Sequence, residues 1–461
     1  MAAVFTRRGL LGSLAATATL TACGTPTPAP TPPPSAPAQD PSPSPSLDTP
    51  FGMAASSRVE VAVFDGGYGT DFAGYVARAM QDRLPGVTVG VTALDRMDVL
   101  DLSESPPDVV HNAGPGALPV STILDQLEAL DDLIQAENLE GTVIRDTLHG
   151  AALAPGTFDG TLVAINYVLT VYAFWYSASL FESRGWGLPT TWDGILELGT
   201  LAKAEGRYLF AWSPEAATAY LELVIASAIK EGGDEVRIAL DSLAEGAWSQ
   251  PAVVQTFAAL EKCVRQGLVQ PADPDAGLLA TQATWSLEGR SLLYPSGAWI
   301  EHEMLAHTAE GFRMTCGPVP TLTSSPTMPP AAVHATAAEP FFIPKAAGNV
   351  PGGKEFLRTM LSPDAAAHFA MTNLVPTVVK NTVPTDAGAT SLGAQTRLLA
   401  DAGEYVFSWR FVSHYGLEEP FGQAMTRFLS AELTTPALVA ELQRLTDEVR
   451  ANPEIEVYAV E

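Results

Sequence analysis

The stretches FWYSASLFE at residues 174–182 and GWGLPTTWD at residues 185–193 join the end of a strand to the starts of two helices. Tyr176 is predicted to end a strand, and the apolar pair four and five residues later is expected to pack at the start of a short helix. The hydroxyl of Thr191 can accept from a backbone N–H group of the helix that we expect to begin near Trp192. A strand that passes into capped helices favours an α/β fold.

Upstream of these stretches, short strand and helix patterns alternate. Residues 58–64 (RVEVAVF) and 87–91 are β-branched and predict strands, as do residues 108–110, while residues 71–84 carry one apolar stripe and predict a helix. The turn at residues 65–69, DGGYG, is rich in glycine. This order predicts βαβ units in a mostly parallel sheet, with ligand-binding side chains at the carboxyl ends of the strands. The candidates there are Tyr68, Asp71, His111 and Asn112.

Downstream, one uncharged segment is too long for an average strand. Residues 161–176 read TLVAINYVLTVYAFWY, and we interpret them as a crossover between two lobes. Residues 339–344 are predicted to be extended, whereas residues 252–265 and 437–450 have helical apolar spacing. The sequence therefore predicts a two-lobed α/β protein, each lobe a mostly parallel sheet flanked by helices, with a ligand cleft between the lobes.

The N-terminus has the pattern of an export signal. Arg7 and Arg8 precede an uncharged run at residues 12–22, which is too short to span a bilayer and resembles a twin-arginine signal. The run ends at Cys23 in a sequence that resembles the bacterial lipobox; an ordinary secretory peptide with an incidental cysteine is the alternative. Residues 24–50 contain eleven prolines. We therefore predict a signal peptide at residues 1–22, a lipid on Cys23 and a proline-rich tether at residues 23–57.

The charge balance limits the class of partner. Lys and Arg number 25 against 52 Asp and Glu, which gives a net charge of -27. An acidic chain is poorly suited to nucleic acid, and it favours neutral or cationic small molecules over anionic ones. The two remaining cysteines, Cys263 and Cys316, could form a disulfide outside the cytoplasm.

No complete catalytic or metal motif is present. Residues 348–354, GNVPGGK, match part of a phosphate loop, but Glu355 follows where a hydroxyl is required, so we interpret them as a glycine-rich turn before a helix. His302 and His307 are five residues apart, which does not suit metal ligation from one helix face. We expect no cofactor and no metal site.

A second stretch carries a family resemblance. Residues 289–304 read GRSLLYPSGAWIEHEM, and together with residues 174–193 they resemble the extracytoplasmic solute-binding proteins of carbohydrate ABC transporters, with Ser177 in place of the usual Asn. In this family the tryptophan at the position of Trp299 commonly stacks on a sugar ring, whose C–H face matches a flat aromatic surface. The Tyr-Pro-Ser-Gly-x-Trp-Ile-Glu run is most similar to the branch that binds N-acetylglucosamine and its β-1,4-linked dimer.

The resemblance implies a lobe division and further site residues. One lobe would contain residues 58–168 and 336–385, the other residues 169–335 and 386–461, with hinges near residues 166–170 and 331–336. Glu301, like Asp71 and Asn112, is a candidate for hydrogen bonds to hydroxyl or amide groups of the ligand. The further aromatic candidates are Tyr167, Trp212, Tyr220 and Trp409.

The function that we predict is that of a binding protein without covalent chemistry. It would be a monomer, anchored by its lipid to the outer face of the bacterial membrane, that captures an amino sugar or chito-oligosaccharide and delivers it to an ABC permease. The alternatives are a secreted lipoprotein glycoside hydrolase and a receptor for another solute, such as another oligosaccharide, a peptide or a metal complex. A related sensor would have the same sequence features.

Overall fold

The computed structural model describes residues 48–66, 68–114, 116–150, 152–273, 276–383 and 391–453, and residues 455, 457, 458 and 460. The predicted signal peptide, the lipidation site Cys23 and most of the predicted tether lie outside the described residues. Among the described helices, none is both long and apolar enough to cross a membrane.

Strands and helices alternate along the chain. The strands are Arg58–Phe64 (β1), Thr88–Leu94 (β2), Val109–His111 (β3), Thr157–Phe158 (β4), Thr161–Leu162 (β5), Ile165–Val171 (β6), Ala173–Ser177 (β7), Tyr208–Phe210 (β8), Ser291–Ser296 (β9), Met314–Gly317 (β10), Val333–Phe342 (β11) and Val406–Phe407 (β12). The α-helices are Asp71–Arg83 (α1), Asp131–Gln135 (α2), Ile144–Thr147 (α3), Ala178–Arg184 (α4), Trp192–Ala204 (α5), Ala217–Gly232 (α6), Asp234–Asp241 (α7), Pro251–Arg265 (α8), Leu278–Ser286 (α9), Ile300–Glu303 (α10), Val350–Met360 (α11), Pro363–Asn373 (α12), Ser391–Ala402 (α13), Phe411–His414 (α14), Glu418–Leu429 (α15) and Thr435–Ala451 (α16). Short 3-10 helices are Val120–Thr122, Leu124–Gln126, Ala154–Gly156, Pro214–Ala216, Ala247–Ser249 and Leu305–His307.

The larger strands form two sheets. In the first, the order is β12-β11-β3-β1-β2, and β6 also pairs with β11; β1 is parallel to β2 and β3, whereas β11 is antiparallel to β3 and β6. The second has the order β10-β7-β9-β8, with β7 antiparallel to both of its neighbours. The strands β4 and β5 form a separate hairpin pair. The carboxyl ends of the parallel strands β1 and β3 share one edge of the first sheet, as the βαβ pattern predicted.

The predicted crossover segment, residues 161–176, contains the short strand β5 and two longer strands, β6 and β7. Tyr172 interrupts it, so that β6 belongs to the first sheet and β7 to the second. The backbone N–H of Tyr172 donates to the carbonyl of His334 at 3.0 Å, which ties the break to the long strand β11. The segment is therefore more than one strand, as its length indicated. The segment does pass from one sheet to the other, and it places Tyr172 at the transition.

The phosphate-loop-like stretch is helical. Asn349 caps α11 by accepting from the backbone N–H of Gly352 at 2.9 Å. A Cβ atom on Gly353 would approach the carbonyl oxygen of Asp108 to 2.6 Å, so the glycine allows α11 to pack against the start of β3. The expectation of a turn before the helix is wrong, because the glycines form the first turn of the helix itself.

The two cysteines do not pair. Cys263 and Cys316 are both buried free thiols, and they belong to different core clusters. Cys263 lies on α8 among the helices that surround the second sheet, whereas Cys316 lies on β10. The possible disulfide is thus not formed in the structure, because each sulfur packs among its own set of apolar neighbours.

Candidate functional site

Four aromatic rings lie in contact where the two sheets meet. The ring of His334 stacks on Trp409, with centroids 3.7 Å apart, and on Tyr172 at 4.6 Å. The edge of Tyr172 contacts Trp299 at 5.8 Å, with the planes at 86°. Of the predicted residues, Trp299 and Trp409 are therefore brought together, through two rings that the sequence did not single out.

Trp299 presents the accessible face of this ring group. Its residue is 37% exposed, while Trp409 is 7% exposed. A Cβ atom on Gly297 would come within 2.0 Å of the Trp299 ring, so the indole lies against the Gly297 backbone and a side chain at this position would displace it. An exposed indole supported by a rigid neighbour is suited to stacking on a flat apolar ligand face.

His334 makes a hydrogen bond through one ring nitrogen, and its other nitrogen lies near a carboxylate. Its Nδ1 lies 3.1 Å from the carbonyl of Phe407 and, since a carbonyl only accepts, donates to it. Its Nε2 lies 3.3 Å from Oε2 of Glu222 on α6. The Glu222 side chain is 20% exposed, so its carboxylate remains accessible beside the ring group.

A second histidine and glutamate pair lies at the end of β3. Nε2 of His111 donates to Oε2 of Glu339 at 2.8 Å, and the His111 ring stacks on Phe341 at 4.4 Å. Glu339 has a φ of +59°, which is uncommon for a residue with a side chain. In the pairing of β11 with β6, Ala338 and Pro340 each have a partner residue, whereas Glu339 between them has none. This local irregularity of the strand directs the carboxylate of Glu339 to His111.

Tyr68 lies between these groups. Its ring contacts Phe369 at 5.6 Å and His302 at 6.5 Å. Burial raises the pKa of Tyr68 well above its usual value, and the negative charges of Glu339 and Glu303 raise it further. The phenol therefore stays protonated and can donate a hydrogen bond near both carboxylates.

Several buried polar atoms of this region have no hydrogen-bond partner among the described residues. Such atoms are rare in folded proteins, and each calls for a reason. Four of these atoms are Nδ1 of His111, Oε2 of Glu222, Oε1 of Gln282 and Nδ1 of His302. The Nε2 group of Gln282 donates to Glu303 at 2.8 Å, which places this amide next to the carboxylate that acts on Tyr68. A polar ligand that binds beside the exposed aromatic face would supply hydrogen-bond partners to these atoms.

Three predicted aromatic residues are in the interior instead. Tyr167 is 1% exposed and its hydroxyl donates to the carbonyl of Met360 at 3.0 Å. Tyr220 is fully buried on α6 and donates to the carbonyl of Ala211. Trp212 is 2% exposed in the core around the second sheet. Their side chains offer no surface to a ligand in this structure.

The two polar candidates near the first sheet differ from His111. Both ends of the Asn112 amide are used by its own loop, since Nδ2 donates to the carbonyl of Leu118 and Oδ1 accepts from its N–H, each at 2.8 Å. Asp71 is exposed at the start of α1. Both polar atoms of the Asn112 amide are thus engaged by its own loop, and only its second N–H and a second lone pair of Oδ1 remain for other contacts.

Glu301 is directed to α13. Its Oε2 accepts a hydrogen bond from the hydroxyl of Ser391, the first residue of that helix. Burial raises the pKa of Glu301 from 4.5 to about 7, although the hydrogen bond from Ser391 opposes the shift. Glu301 lies two residues after Trp299. Its hydrogen bond therefore connects the turn that carries the indole to α13.

This shift predicts a pH dependence of stability. The folded state holds the Glu301 proton more tightly than the unfolded chain, so the free energy of unfolding falls as the pH rises from about 4.5 through about 7. Glu301→Gln removes this titration and is expected to be more stable than the parent at pH 8, with little difference at pH 4.5. Urea unfolding at both values measures the effect. The same advantage at both pH values would contradict it, and Glu303→Gln, a nearby carboxylate at the surface, is the control.

The residues that sequence reasoning missed are connected by long-range pairing. Tyr172 marks the break between β6 and β7, and His334 and Glu339 lie on β11, which pairs with β6. Glu222 comes from α6. The interruption of an apolar run by a tyrosine was the available signal for Tyr172; for Glu339 the only one was an isolated charge before Pro340 in an otherwise uncharged stretch.

Two sheets of an α/β fold that meet at an aromatic surface, flanked by accessible carboxylates, define a receptor for a small polar solute. Residues 79–367 match the family of bacterial extracellular solute-binding proteins. The chain belongs to this family, so it is an extracellular binding protein and not an enzyme. The predicted family, the two-lobed α/β fold class and the location outside the cytoplasm are confirmed. The prediction of a mostly parallel sheet in each lobe is wrong for the second sheet, in which only β8 and β9 are parallel neighbours.

Several known proteins are similar to the chain. It is 43% identical over 459 residues to the diacetylchitobiose binding protein NgcE of Streptomyces coelicolor (strain ATCC BAA-471 / A3(2) / M145), covering 98% of both chains. A solved chitin oligosaccharide binding protein superposes with a TM-score of 0.64 at 16% identity, covering 87% of this chain and 100% of that one. The apo form of RafE from Streptococcus pneumoniae gives a TM-score of 0.66 at 17% identity, covering 86% and 99%. These two structures support the fold.

Proposed function

We propose that this protein captures N,N′-diacetylchitobiose outside the cell and delivers it to an ABC importer. The relative NgcE, by its name, binds diacetylchitobiose, and it is similar over nearly the whole chain. The structural observation that carries the proposal is the Trp299 indole, 37% exposed and supported by Tyr172, because a pyranose has a C–H face that stacks on such a ring.

Polar groups around the indole provide the other half of sugar recognition. The carboxylates of Glu222 and Glu339 are only partly exposed, at 20% and 25%, and carboxylate oxygens are acceptors. The phenol of Tyr68 can donate. Hydroxyl and acetamido groups at the edge of a stacked sugar require this mixture of donors and acceptors.

The lobe boundaries and hinges remain part of the proposal. Residues 58–168 with 336–385 and residues 169–335 with 386–461 would form the lobes, and segments 166–170 and 331–336 would bend as the ligand is enclosed. Closure would be driven by tighter binding of the sugar in the closed state. We propose further that the protein acts as a monomer and that a lipid on Cys23, through the proline-rich segment that follows, keeps it at the membrane surface.

Calorimetric titration of the full-length chain in detergent micelles tests the function. N,N′-Diacetylchitobiose is expected to bind with saturable heat and a stoichiometry of one, and maltose is expected to bind at least tenfold more weakly. Cellobiose, which has the same linkage without acetamido groups, is the matched control ligand. Stronger binding of cellobiose than of diacetylchitobiose would discard the amino sugar, and no heat from any of the three would discard a sugar ligand.

A further inference from the structure

The polar side of the site has an excess of hydrogen-bond acceptors. The carboxylates of Glu222 and Glu339 are paired with histidines, and that of Glu303 with the amide of Gln282. Among the described residues, no Lys or Arg forms an ion pair with any of these three carboxylates. The site therefore keeps negative charge that a donor-rich or cationic ligand would compensate.

Glu339 has the most specific geometry of the three. Its left-handed backbone conformation, at a φ of +59°, is uncommon for a residue with a side chain. One carboxylate oxygen, Oε2, is bound to His111 at 2.8 Å. The other oxygen makes no hydrogen bond to the described residues, and the side chain is 25% exposed. One oxygen is thus held in place while the other remains able to accept.

His111 fixes the direction of this carboxylate. It is 2% exposed, stacks on Phe341 with an angle of 5° between the planes, and contacts the edge of Phe72 at 6.0 Å. Because a carboxylate only accepts, Nε2 must carry the proton that is shared with Glu339. A ring that is fixed on both faces leaves Glu339 little freedom to turn away, and His111 is therefore a positioning residue.

Gln282 provides a second buried acceptor in the region of Glu303, where the Tyr294 side chain also contacts its amide. Gln282 is 2% exposed, and its Oε1 has no hydrogen-bond partner although the Nε2 of the same amide donates to Glu303. A buried acceptor without a partner costs free energy until a donor reaches it. The acceptors of Gln282 and Glu339 thus both call for N–H or O–H groups, and the nitrogen on C2 of an amino sugar supplies such a group whether it is acetylated or free.

We propose that Glu339, held by His111, determines specificity by accepting from the C2 nitrogen of the sugar, so that the site binds cationic, deacetylated glucosamine disaccharides as well as acetylated ones. This inference rests on the proposed function, since it assigns the sugar to the same site. It extends the ligand class from neutral acetamido sugars to ammonium sugars. The negative charge of Glu339 favours the ammonium form most, because hydrogen bonds between two charged groups are the stronger ones.

Titration of the full-length chain with two disaccharides tests this inference. The probes are N,N′-diacetylchitobiose and the β-1,4-linked glucosamine dimer, at a pH where its amino groups are protonated, in 20 mM and 500 mM NaCl. We expect the cationic dimer to bind within about tenfold of the acetylated one at low salt and to weaken at high salt through screening. The affinity for the acetylated dimer should change little with salt.

Glu339→Gln removes the charge and keeps the length of the side chain, and its carbonyl can still accept from His111. Because its NH2 group then takes the place of the oxygen that accepts from the sugar, it should weaken binding of both dimers, and that of the cationic dimer at least tenfold more than that of the acetylated one. Glu245→Gln, which removes an exposed carboxylate in the turn after α7, is the control for net charge and should change neither affinity. His111→Phe keeps the flat ring on Phe341 and should weaken both dimers, because the carboxylate loses its fixed direction.

The outcomes separate the inference from the function. Binding of the acetylated dimer without the cationic one would overturn the inference and leave the function standing, whereas no binding of the acetylated dimer would overturn the function. Equal effects of Glu339→Gln on both dimers would refute the role of its charge. Unchanged affinities in a folded His111→Phe variant, with folding checked by circular dichroism, would refute the positioning role.

Discussion

Replacing Trp299 with alanine is expected to weaken binding of N,N′-diacetylchitobiose about a hundredfold, which corresponds to about 2.7 kcal/mol. The indole is the most exposed member of the ring group Trp409, His334, Tyr172 and Trp299, and its removal takes away the most accessible face of that group. The loss should appear in the affinity and not in the stoichiometry. Calorimetric titration measures both.

Two further variants make this result specific. Trp299→Phe keeps a smaller aromatic face and should recover about half of the lost binding free energy. Trp186→Ala removes a half-buried tryptophan that packs on Phe181 at 5.8 Å, outside the ring group, and should leave the affinity unchanged. A folded Trp299→Ala protein that binds the sugar as tightly as the parent would rule out stacking on this residue.

Local elements of the fold were predictable because their signals are short-range. The β-branched run at residues 58–64 is a strand with the predicted bounds, and the apolar stripe that predicted a helix at residues 71–84 corresponds to Asp71–Arg83. Hydrophobic periodicity encodes such elements directly in neighbouring residues. Trp299 could be recognised as a candidate site residue for the same reason, because a glycine and a small residue directly precede it in the sequence.

The rest of the site depends on contacts that periodicity does not encode. Glu339 is significant because its positive φ redirects its side chain, and a positive φ at a residue other than glycine has no simple sequence signature. Tyr167 and Tyr220 had the same sequence signal as a ligand-binding aromatic, yet each points into the core and bonds to a backbone carbonyl. Which side of an element is covered is decided by tertiary packing, so aromatic residues in apolar runs could not be divided between core and cleft in advance.

The second large effect concerns a buried ion cluster behind the first sheet. Glu355 on α11 has no exposed side-chain surface, and its Oε2 lies 3.0 Å from Arg83 of α1 and 3.3 Å from Arg358. Arg358 also donates to the carbonyls of Glu137 and Asn138, at 2.7 and 3.2 Å. Glu355→Ala is expected to lower the free energy of unfolding by about 3 to 5 kcal/mol, because it leaves two guanidinium groups without their shared counter-charge.

The matched control removes the same residue type from an exposed ion pair. Glu182 pairs with Arg313, and the two side chains are 66% and 43% exposed, so Glu182→Ala should cost less than about 1 kcal/mol. Urea unfolding of the three proteins compares the two losses, and equal losses would contradict a special role for burial. Arg83 also donates to the carbonyl of Asp48 at 2.8 Å, at the start of the described chain. The cluster thus joins α1, α11 and the segment that follows the predicted tether, and since it lies away from the aromatic surface, the folded Glu355→Ala protein should bind the sugar with the affinity of the parent.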